Sequence, residues 1–367
     1  MPAQFQSERH DLYLDWLRGL AALLVFLTHV RGGFFVKWSD LDASSQNFLN
    51  YFLFVVTRLG REAVVVFFVL SGFLVGGQAI QELRNRRYSL SKYLVARVSR
   101  LYTVVVPALF LTAVFDVLHG VWGSSTHGLR SFLINLFFLQ DILGPVYGSN
   151  APLWSLSFEW WFYVIFGLGL AGFSHQIEAR WKRLMLVAAA AAITMLLWVH
   201  CRALVLMFPL WLIGVVARSA PSVAMTGPRY AIPAAVALCI ALVISSARWD
   251  LAGDYVVGVT TGCLVYSLRQ CPPPTVRWCA VGSTLAAFSF SLYALHYPLW
   301  FLIQSVLVTQ RSTHAGIAQW LELLALACLG LAICYLFYFV FERRTPVVRA
   351  WMQRALDKVA GSATTTR

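Results

Sequence analysis

Three ionisable residues lie within or beside the first long apolar stretch of this sequence: Asp15, Arg18 and His29. Charged side chains are costly in the hydrocarbon core of a membrane, and where they occur they usually serve a function. Arg18 and His29 are eleven residues apart. In an α-helix that spacing returns to almost the same face, with a rise of ~16 Å. The pattern therefore predicts a line of polar groups through much of the membrane thickness.

His29 is near the outer end of this predicted helix. A neutral imidazole there could take a proton from an acceptor hydroxyl while sheltered from bulk water. A histidine that only hydrogen-bonds a neighbouring helix would explain the same residue. Asp15 is three residues before Arg18, so it can reach the guanidinium, and a purely structural ion pair is the alternative for those two.

Two arginines lie at the start of the third apolar helix. Arg97 and Arg100 are three residues apart and share a helix face. Two guanidinium forks could clamp a phosphate, because arginine is always charged and can bond bidentately. Anchoring of the helix by cytoplasmic basic residues explains them too, and on the residues alone it is the simpler interpretation.

A later apolar helix carries polar residues on one face. Ser155 and Glu159 are separated by one helical turn, and Tyr163 continues the same face. A carboxylate at the start of such an apolar helix could orient a histidine or accept a hydroxyl proton. Trp154 fits the aromatic belt of a membrane interface, although sugars also stack on such rings.

His296 is the second histidine within a predicted span. Ser289 and Tyr293 lie on the same helix side, close enough to hydrogen-bond with it, and Pro298 can kink the helix two residues later. A polar cluster that only packs helices together is an equally good interpretation.

Composition sets the class of protein. Of the 367 residues, 59% are hydrophobic and 12% charged, and the mean hydropathy is +0.69. These values predict an all-α, polytopic integral membrane protein. No soluble block of domain size interrupts the apolar stretches, so we expect one transmembrane domain over residues 1–343 and a basic cytoplasmic tail over 344–367.

The apolar stretches predict about ten crossings. They cover residues 12–30, 62–80, 99–118, 153–173, 184–200, 203–217, 230–247, 255–268, 284–306 and 318–341. The stretch 131–143 is too short to cross, and omitting it places the basic loops on one side. That side is predicted to be the cytoplasm, together with both termini. The tail is predicted to form a helix on an anionic leaflet or a simple stop-transfer segment.

Charge and cysteine content exclude other classes. The net charge of +13 comes from basic loops between spans, which membrane topology explains without a nucleic-acid partner. The cysteines show no zinc or redox spacing, so no metal is predicted. The sequence does not specify an oligomeric state.

Taken together, the ordered motifs resemble acyltransferase family 3, the integral membrane acyltransferases that include bacterial O-acetyltransferases of glycans. The resemblance rests on the Arg18 to His29 spacing, the segment 66–74 with Ser71, the Arg97 and Arg100 pair, and the segments 152–159 and 289–296. It covers about residues 12 to 343.

This resemblance implies an acyl-CoA co-substrate, usually acetyl-CoA, that enters from the cytoplasm, and no permanently bound cofactor. The acceptor would be a carbohydrate hydroxyl at the outer face of the bacterial inner membrane. His29 would be the catalytic base, Arg18 and Glu159 would share the catalytic site, and Arg97, Arg100 and Ser71 would hold the donor. The residues implied to support the site or contact substrate are Asp15, Trp154, Ser155, Tyr293 and His296.

A proton-coupled transporter or flippase of a glycan or lipid-linked substrate is the alternative. Its proton relay would use Asp15, Arg18, His29 and His296. The sequence has no internal repeat and no acidic residue at mid-membrane, and both facts favour the enzyme.

Overall fold

A computed structural model describes the backbone of residues 3–121, 123, 125–221, 227–269, 271–272, 276–308 and 310–365. For residues 3–11, 276–279 and 359–365 the structure describes the backbone alone. The α-helices are α1 Ala3–Phe34, α2 Phe48–Val56, α3 Gly60–Ser71, α4 Gly77–Arg84, α5 Leu90–Leu118, α6 Leu129–Leu136, α7 Trp154–Ala171, α8 Arg180–His200, α9 Arg202–Ser219, α10 Pro228–Arg248, α11 Leu251–Leu268, α12 Val276–Leu307, α13 Ile317–Val340 and α14 Thr345–Thr365.

Ten helical segments of the described chain are long and apolar enough to cross a membrane, as the sequence predicts. They are Leu12–Phe34, Phe48–Arg84, Leu90–Leu118, Ala151–Ala171, Arg180–His200, Arg202–Ser219, Pro228–Arg248, Leu251–Leu268, Ala280–Leu307 and Ile317–Lys358. The predicted non-crossing stretch contains α6, which has only eight residues, whereas a span needs about 20. The side on which the termini lie stays a prediction.

The fold class is confirmed as all-α, since the described residues contain no β-strand. Isolated β-bridges do occur, and one of them joins Phe35 to Ser312. That bridge connects the loop after α1 to the loop after α12. The two helices are thus linked at the end of the bundle towards which His29 lies.

Helix α1 packs along α12. A Cβ atom added at Gly19 would lie 2.5 Å from the Leu285 Cβ, so the pair can approach this closely only because residue 19 has no side chain. The approach brings together two histidines that are far apart in sequence, His29 on α1 and His296 on α12.

A π-helical turn, Gly72–Gly76, joins α3 to α4 and packs against α9. Single π turns inside helices often mark functional sites. A Cβ atom on Gly72 would lie 1.8 Å from the Trp211 carbonyl oxygen, so the two backbones are in contact here. The same contact places Ser71 beside the Trp211 indole.

Gly72→Ala is expected to lower the apparent Tm of the detergent-purified protein. The added methyl group meets backbone atoms that cannot rotate away, and overpacking of this kind costs about 3 kcal/mol or more. Gly169→Ala on α7 is the matched control, because its Cβ atom would have no neighbour within 4 Å and helix propensity favours alanine by ~1 kcal/mol. A Gly72→Ala protein as stable as Gly169→Ala would contradict the close approach of α9.

The start of α5 is fixed against α7. The buried Tyr88 hydroxyl donates to the Gly167 carbonyl oxygen at 2.9 Å. Burial raises the pKa of the Tyr88 phenol, so the group remains a neutral donor. This contact sets the position of the arginine pair on α5 relative to Glu159 on α7.

The tail forms α14, which packs against α5. A 3₁₀ turn, Glu342–Arg344, connects it to α13. The boundary at residue 343 between a transmembrane domain and a tail stays a prediction, and so does contact of this helix with a lipid surface.

Candidate active site

A cavity of about 910 Å³ enters the bundle at the end that carries the basic loops. Its mouth is lined by the exposed residues Asn85, Arg87 and Lys92. Its deep end is lined by the buried residues Ser155 and Tyr293. The cavity thus leads from the predicted cytoplasmic surface into the apolar interior.

Eight of the eleven predicted site residues line this cavity. They are Asp15, Arg18, Ser71, Arg97, Arg100, Ser155, Glu159 and Tyr293. His29, His296 and Trp154 are not among the residues of its wall in the described part of the chain. Five helices, namely α1, α3, α5, α7 and α12, therefore supply one common site.

The arginine pair lies over aromatic rings of the cavity wall. The Arg97 guanidinium lies 5.6 Å from the Tyr93 ring centroid and 5.9 Å from that of Tyr163. Arg100 lies 5.9 Å from the Phe290 centroid. The aromatic faces hold the two cations in place, and both arginines line the cavity, where a ligand can reach them.

Arg18 is held deeper in the bundle. One of its amino groups donates to the Ala286 carbonyl oxygen on α12 at 3.2 Å. Asp15, one turn earlier, accepts from the Ser283 hydroxyl at 3.2 Å. The carboxylates of Asp15, Glu342 and Glu159 attract the Arg18 charge, and Arg100 repels it. Arg18 is therefore an anchored cation within a mixed charge cluster.

Glu159 ends a chain of hydrogen bonds. The Trp211 indole N–H donates to Ser71 Oγ at 3.1 Å, and the Ser71 and Tyr163 hydroxyl oxygens are 2.9 Å apart. The Tyr163 hydroxyl donates to Glu159 Oε1. Since Tyr163 uses its proton there, Ser71 is the donor to Tyr163. All three donors point towards the carboxylate, so Glu159 is bound to a tyrosine and orients neither histidine directly.

The two histidines form a dyad. His29 Nδ1 and His296 Nε2 are 3.0 Å apart. His296 Nδ1 lies 2.9 Å from the carbonyl oxygens of Leu292 and Tyr293, which can only accept, so this nitrogen carries the proton. In the neutral ring His296 Nε2 is then an acceptor, and His29 Nδ1 must donate to it. His29 Nε2 is left with an unprotonated lone pair.

The His29 ring is also fixed by Tyr297. The two ring centroids are 4.7 Å apart at an interplanar angle of 87°. Such edge-to-face contacts define the orientation of a ring. Together with the His296 hydrogen bond, this contact gives the free nitrogen of His29 one direction, as a general base requires.

Tyr293 connects the cavity to the dyad. Its hydroxyl donates to the Pro152 carbonyl oxygen at 3.0 Å and lies 2.5 Å from Ser155 Oγ. Its backbone carbonyl accepts the His296 proton, and its ring centroid is 6.0 Å from that of His296. The deep end of the cavity is thus one side chain away from the histidines.

Trp154 packs against phenylalanines. Its ring lies edge-to-face with Phe158 at 5.1 Å and with Phe68 at 6.3 Å between centroids. These contacts support the start of α7 beside Ser155. Stacking of a sugar on Trp154 stays a prediction.

The acyltransferase family 3 model, described as an acyltransferase domain, matches residues 11–339, which is nearly the whole chain. The chain belongs to acyltransferase family 3. The matched domain is an acyltransferase domain, and ten helical segments of the described chain are long and apolar enough to cross a membrane. The match includes every predicted site residue, on α1, α3, α5, α7 and α12.

A relative in Haemophilus influenzae carries the description "uncharacterized protein". It is 27% identical over 113 residues, which represent 28% of this chain and 46% of that protein. The chain therefore spans less than half the length of the relative it matches. No solved structure matches the chain.

The sequence analysis did not identify two residues of this candidate site, Glu342 and Arg349. Glu342 accepts from the Ser291 hydroxyl at 2.6 Å and from the Ser291 N–H at 3.0 Å. Arg349 lines the cavity from α14. Both lie where the last apolar stretch meets the basic tail, so their charges look like those of an ordinary membrane boundary. The one sequence feature that could have identified them is their position, as ionisable residues close to the end of that apolar stretch.

His296→Phe is expected to lower kcat for acyl transfer by about ten- to a hundredfold, because the His29 N–H then loses its acceptor on α12. His296→Gln offers an amide oxygen at a similar reach and should keep more activity than His296→Phe. The measurement is kcat at saturating donor for both variants. Equal activity of the two variants would contradict the acceptor role of His296.

Proposed function

We propose that this acyltransferase transfers an acyl group, most simply acetyl, from cytoplasmic acyl-CoA to a carbohydrate hydroxyl. The acceptor is a cell-envelope or exported glycan at the outer face of the bacterial inner membrane. The observation that carries the proposal is the His29 and His296 dyad, which leaves one nitrogen of the half-buried His29 ring unprotonated near the deep end of a basic cavity.

The shape and charge of the cavity support an acyl-CoA donor. Its volume of about 910 Å³ is at the upper end for small-molecule sites. Arg97 and Arg100 line its wall, and guanidinium groups match the geometry of phosphate oxygens. CoA carries its phosphates at the end opposite the thioester. With the phosphates at the arginines, the pantetheine arm extends towards Tyr293 and the thioester towards the dyad.

The proposed reaction uses the free nitrogen of His29. The acceptor hydroxyl oxygen attacks the thioester carbonyl carbon while His29 Nε2 removes the hydroxyl proton. His296 Nε2 accepts the hydrogen bond of the charged His29 ring and stabilises its positive charge. The tetrahedral intermediate then collapses, the carbon–sulfur bond breaks, and His29 returns the proton to the departing CoA sulfur. The products are the O-acyl glycan and free CoA.

Burial of His296, the partner of the half-buried His29, favours acyl transfer over hydrolysis. His296 is only 1% exposed, and its neighbours Ala294 and Leu295 are equally buried. A site that excludes water holds donor and acceptor together while it suppresses attack by water on the thioester. Acyl transfer should therefore depend strongly on the acceptor.

The proposal is tested with the purified full chain in liposomes. Acetyl-CoA is supplied on one face and a cell-envelope glycan extract on the other, and free CoA is measured as a thiol. We expect CoA release that requires the glycan and produces an acetylated glycan. If the glycan crosses the bilayer without CoA release, the transporter alternative replaces the enzyme. If a folded protein shows neither result with any short-chain acyl-CoA, the proposal fails.

A further inference from the structure

The tail helix contributes a third arginine to the donor cavity. Arg349 on α14 lines the cavity together with Arg97 and Arg100 of α5. Its Nε donates to Ser99 Oγ at 3.5 Å, and Ser99 lies between those two arginines in sequence. Arg349 experiences electrostatic repulsion from both of them. Three like charges are therefore grouped on one wall.

These charges lack close counter-ions among the side chains that the structure describes. Among the described side chains, no carboxylate oxygen lies within 4.0 Å of a guanidinium nitrogen of Arg97, Arg100 or Arg349. Arg97 Nε is buried and has no hydrogen-bond partner. Glu342 attracts Arg100 electrostatically. Its carboxylate, however, accepts its two hydrogen bonds from Ser291, both at the oxygen Oε2.

A grouping of this kind is unfavourable unless an anion joins it. Like charges repel more strongly where the protein displaces water, and an unpaired buried donor costs free energy. One multivalent anion would satisfy the free N–H groups and remove the repulsion at once. A ligand with several phosphates suits this need better than a single carboxylate, because each guanidinium can bind its own pair of oxygens.

The position of Arg349 shows which end of a donor it faces. Arg349 is exposed, Arg97 and Arg100 are half-buried, and Tyr293 at the deep end is buried. The cluster thus extends from the mouth inwards. A donor whose reactive group reaches Tyr293 leaves its phosphates at this level.

We propose that Arg349 binds a phosphate of the nucleotide end of acyl-CoA jointly with Arg97 and Arg100, so that α14 is part of the donor site. This inference rests on the proposed function, since it assumes that the donor is acyl-CoA. It assigns the tail a binding role in addition to any membrane contact. Donor binding should then also tighten the packing of α14 on α5.

The test is equilibrium binding of CoA to the full chain in nanodiscs. Arg349→Gln should weaken CoA binding about tenfold or more, the loss expected for charge-assisted hydrogen bonds to one phosphate. Arg349→Lys keeps the charge but loses the fork, so it should bind with intermediate affinity. Arg354→Gln is the matched control, because Arg354 is exposed on the same helix and donates within it to the Ala350 carbonyl oxygen.

Dephospho-CoA, which lacks the 3′-phosphate, identifies the contact. If Arg349 binds that phosphate, Arg349→Gln and the unchanged protein will bind dephospho-CoA equally. If it binds the pyrophosphate, the variant will bind both ligands more weakly. Either result supports the proposal.

Two outcomes would overturn it, and they can be told apart. Equal CoA affinity of Arg349→Gln and the unchanged protein would exclude Arg349 from the donor site and leave the proposed function intact. Failure of the unchanged, folded protein to bind CoA would remove the acyl-CoA donor and this inference with it. The apparent Tm of each variant shows whether a loss of binding comes from a loss of fold.

Discussion

His29→Gln is expected to reduce acyl transfer by about 10²- to 10⁴-fold, the range that one positioned general base supplies. The amide cannot take up the acceptor proton, whereas it can still fill the space beside Tyr297 and donate to His296. The loss should appear in kcat, because the described hydrogen bond and ring contacts of His29 go to His296 and Tyr297, which do not line the donor cavity as described. CoA release with saturating acetyl-CoA and glycan is the measurement.

His119→Gln is the matched control for a histidine near the same end of the bundle. His119 packs edge-to-face on Phe301 at 5.0 Å between ring centroids and takes no part in the dyad. We expect the His119→Gln protein to transfer the acyl group at nearly the rate of the unchanged protein. If His29→Gln and His119→Gln behave alike, His29 is a packing residue and the general-base role is excluded.

Replacing Arg97 and Arg100 together by glutamine is expected to raise KM for acyl-CoA by about a hundredfold or more. Each arginine would lose charge-assisted hydrogen bonds to phosphate, and two such losses multiply. The value of kcat at saturating donor should change much less, since the histidine dyad is untouched. Steady-state kinetics over a wide range of acetyl-CoA concentrations separates the two effects.

The fold of this double variant provides an internal check. Its substitutions remove two charges that repel Arg349, so the apparent Tm without donor should not fall. Stabilisation by added CoA should be lost. Arg180→Gln, an exposed arginine at the start of α8, tests the alternative of simple membrane anchoring. If it impairs donor binding as much as the double variant does, anchoring explains the pair and phosphate binding does not.

The two variants should fail in opposite ways. His29→Gln should bind acyl-CoA and not react, whereas the arginine variant should react once enough donor is present. This split in kcat and KM follows from the separation of the basic cavity wall and the dyad, which Tyr293 connects. A single effect on both parameters in both variants would indicate a general loss of structure.

The sequence by itself determined the membrane class, the ten crossings and the family. Apolar content and the length of each stretch suffice for the first two, because a bilayer fixes how many residues a span needs. Spacing within one helix was equally informative. Arg97 and Arg100 share a face of α5, and Glu159 and Tyr163 share a face of α7, since helical geometry is local and does not depend on the neighbouring helices.

Only the tertiary structure decided which faces meet. The His29 and His296 hydrogen bond joins residues separated by 267 positions. It exists because α1 can approach α12 at Gly19. That the Nε2 nitrogen of His29 is unprotonated follows from the backbone carbonyl groups that hydrogen-bond with His296. Contacts between distant helices depend on the rotation and separation that packing imposes, and no local spacing carries that information.

The same reason explains the two residues that the sequence did not single out. Glu342 and Arg349 follow the last apolar stretch, where charges are ordinary. Packing of α14 against α5 brings Arg349 to the donor cavity, and the turn before it brings Glu342 to Ser291. A charge near a membrane boundary becomes part of the site only when a neighbouring helix packs beside it. The sequence thus determined the chemistry of the side chains, and the tertiary structure determined their partners.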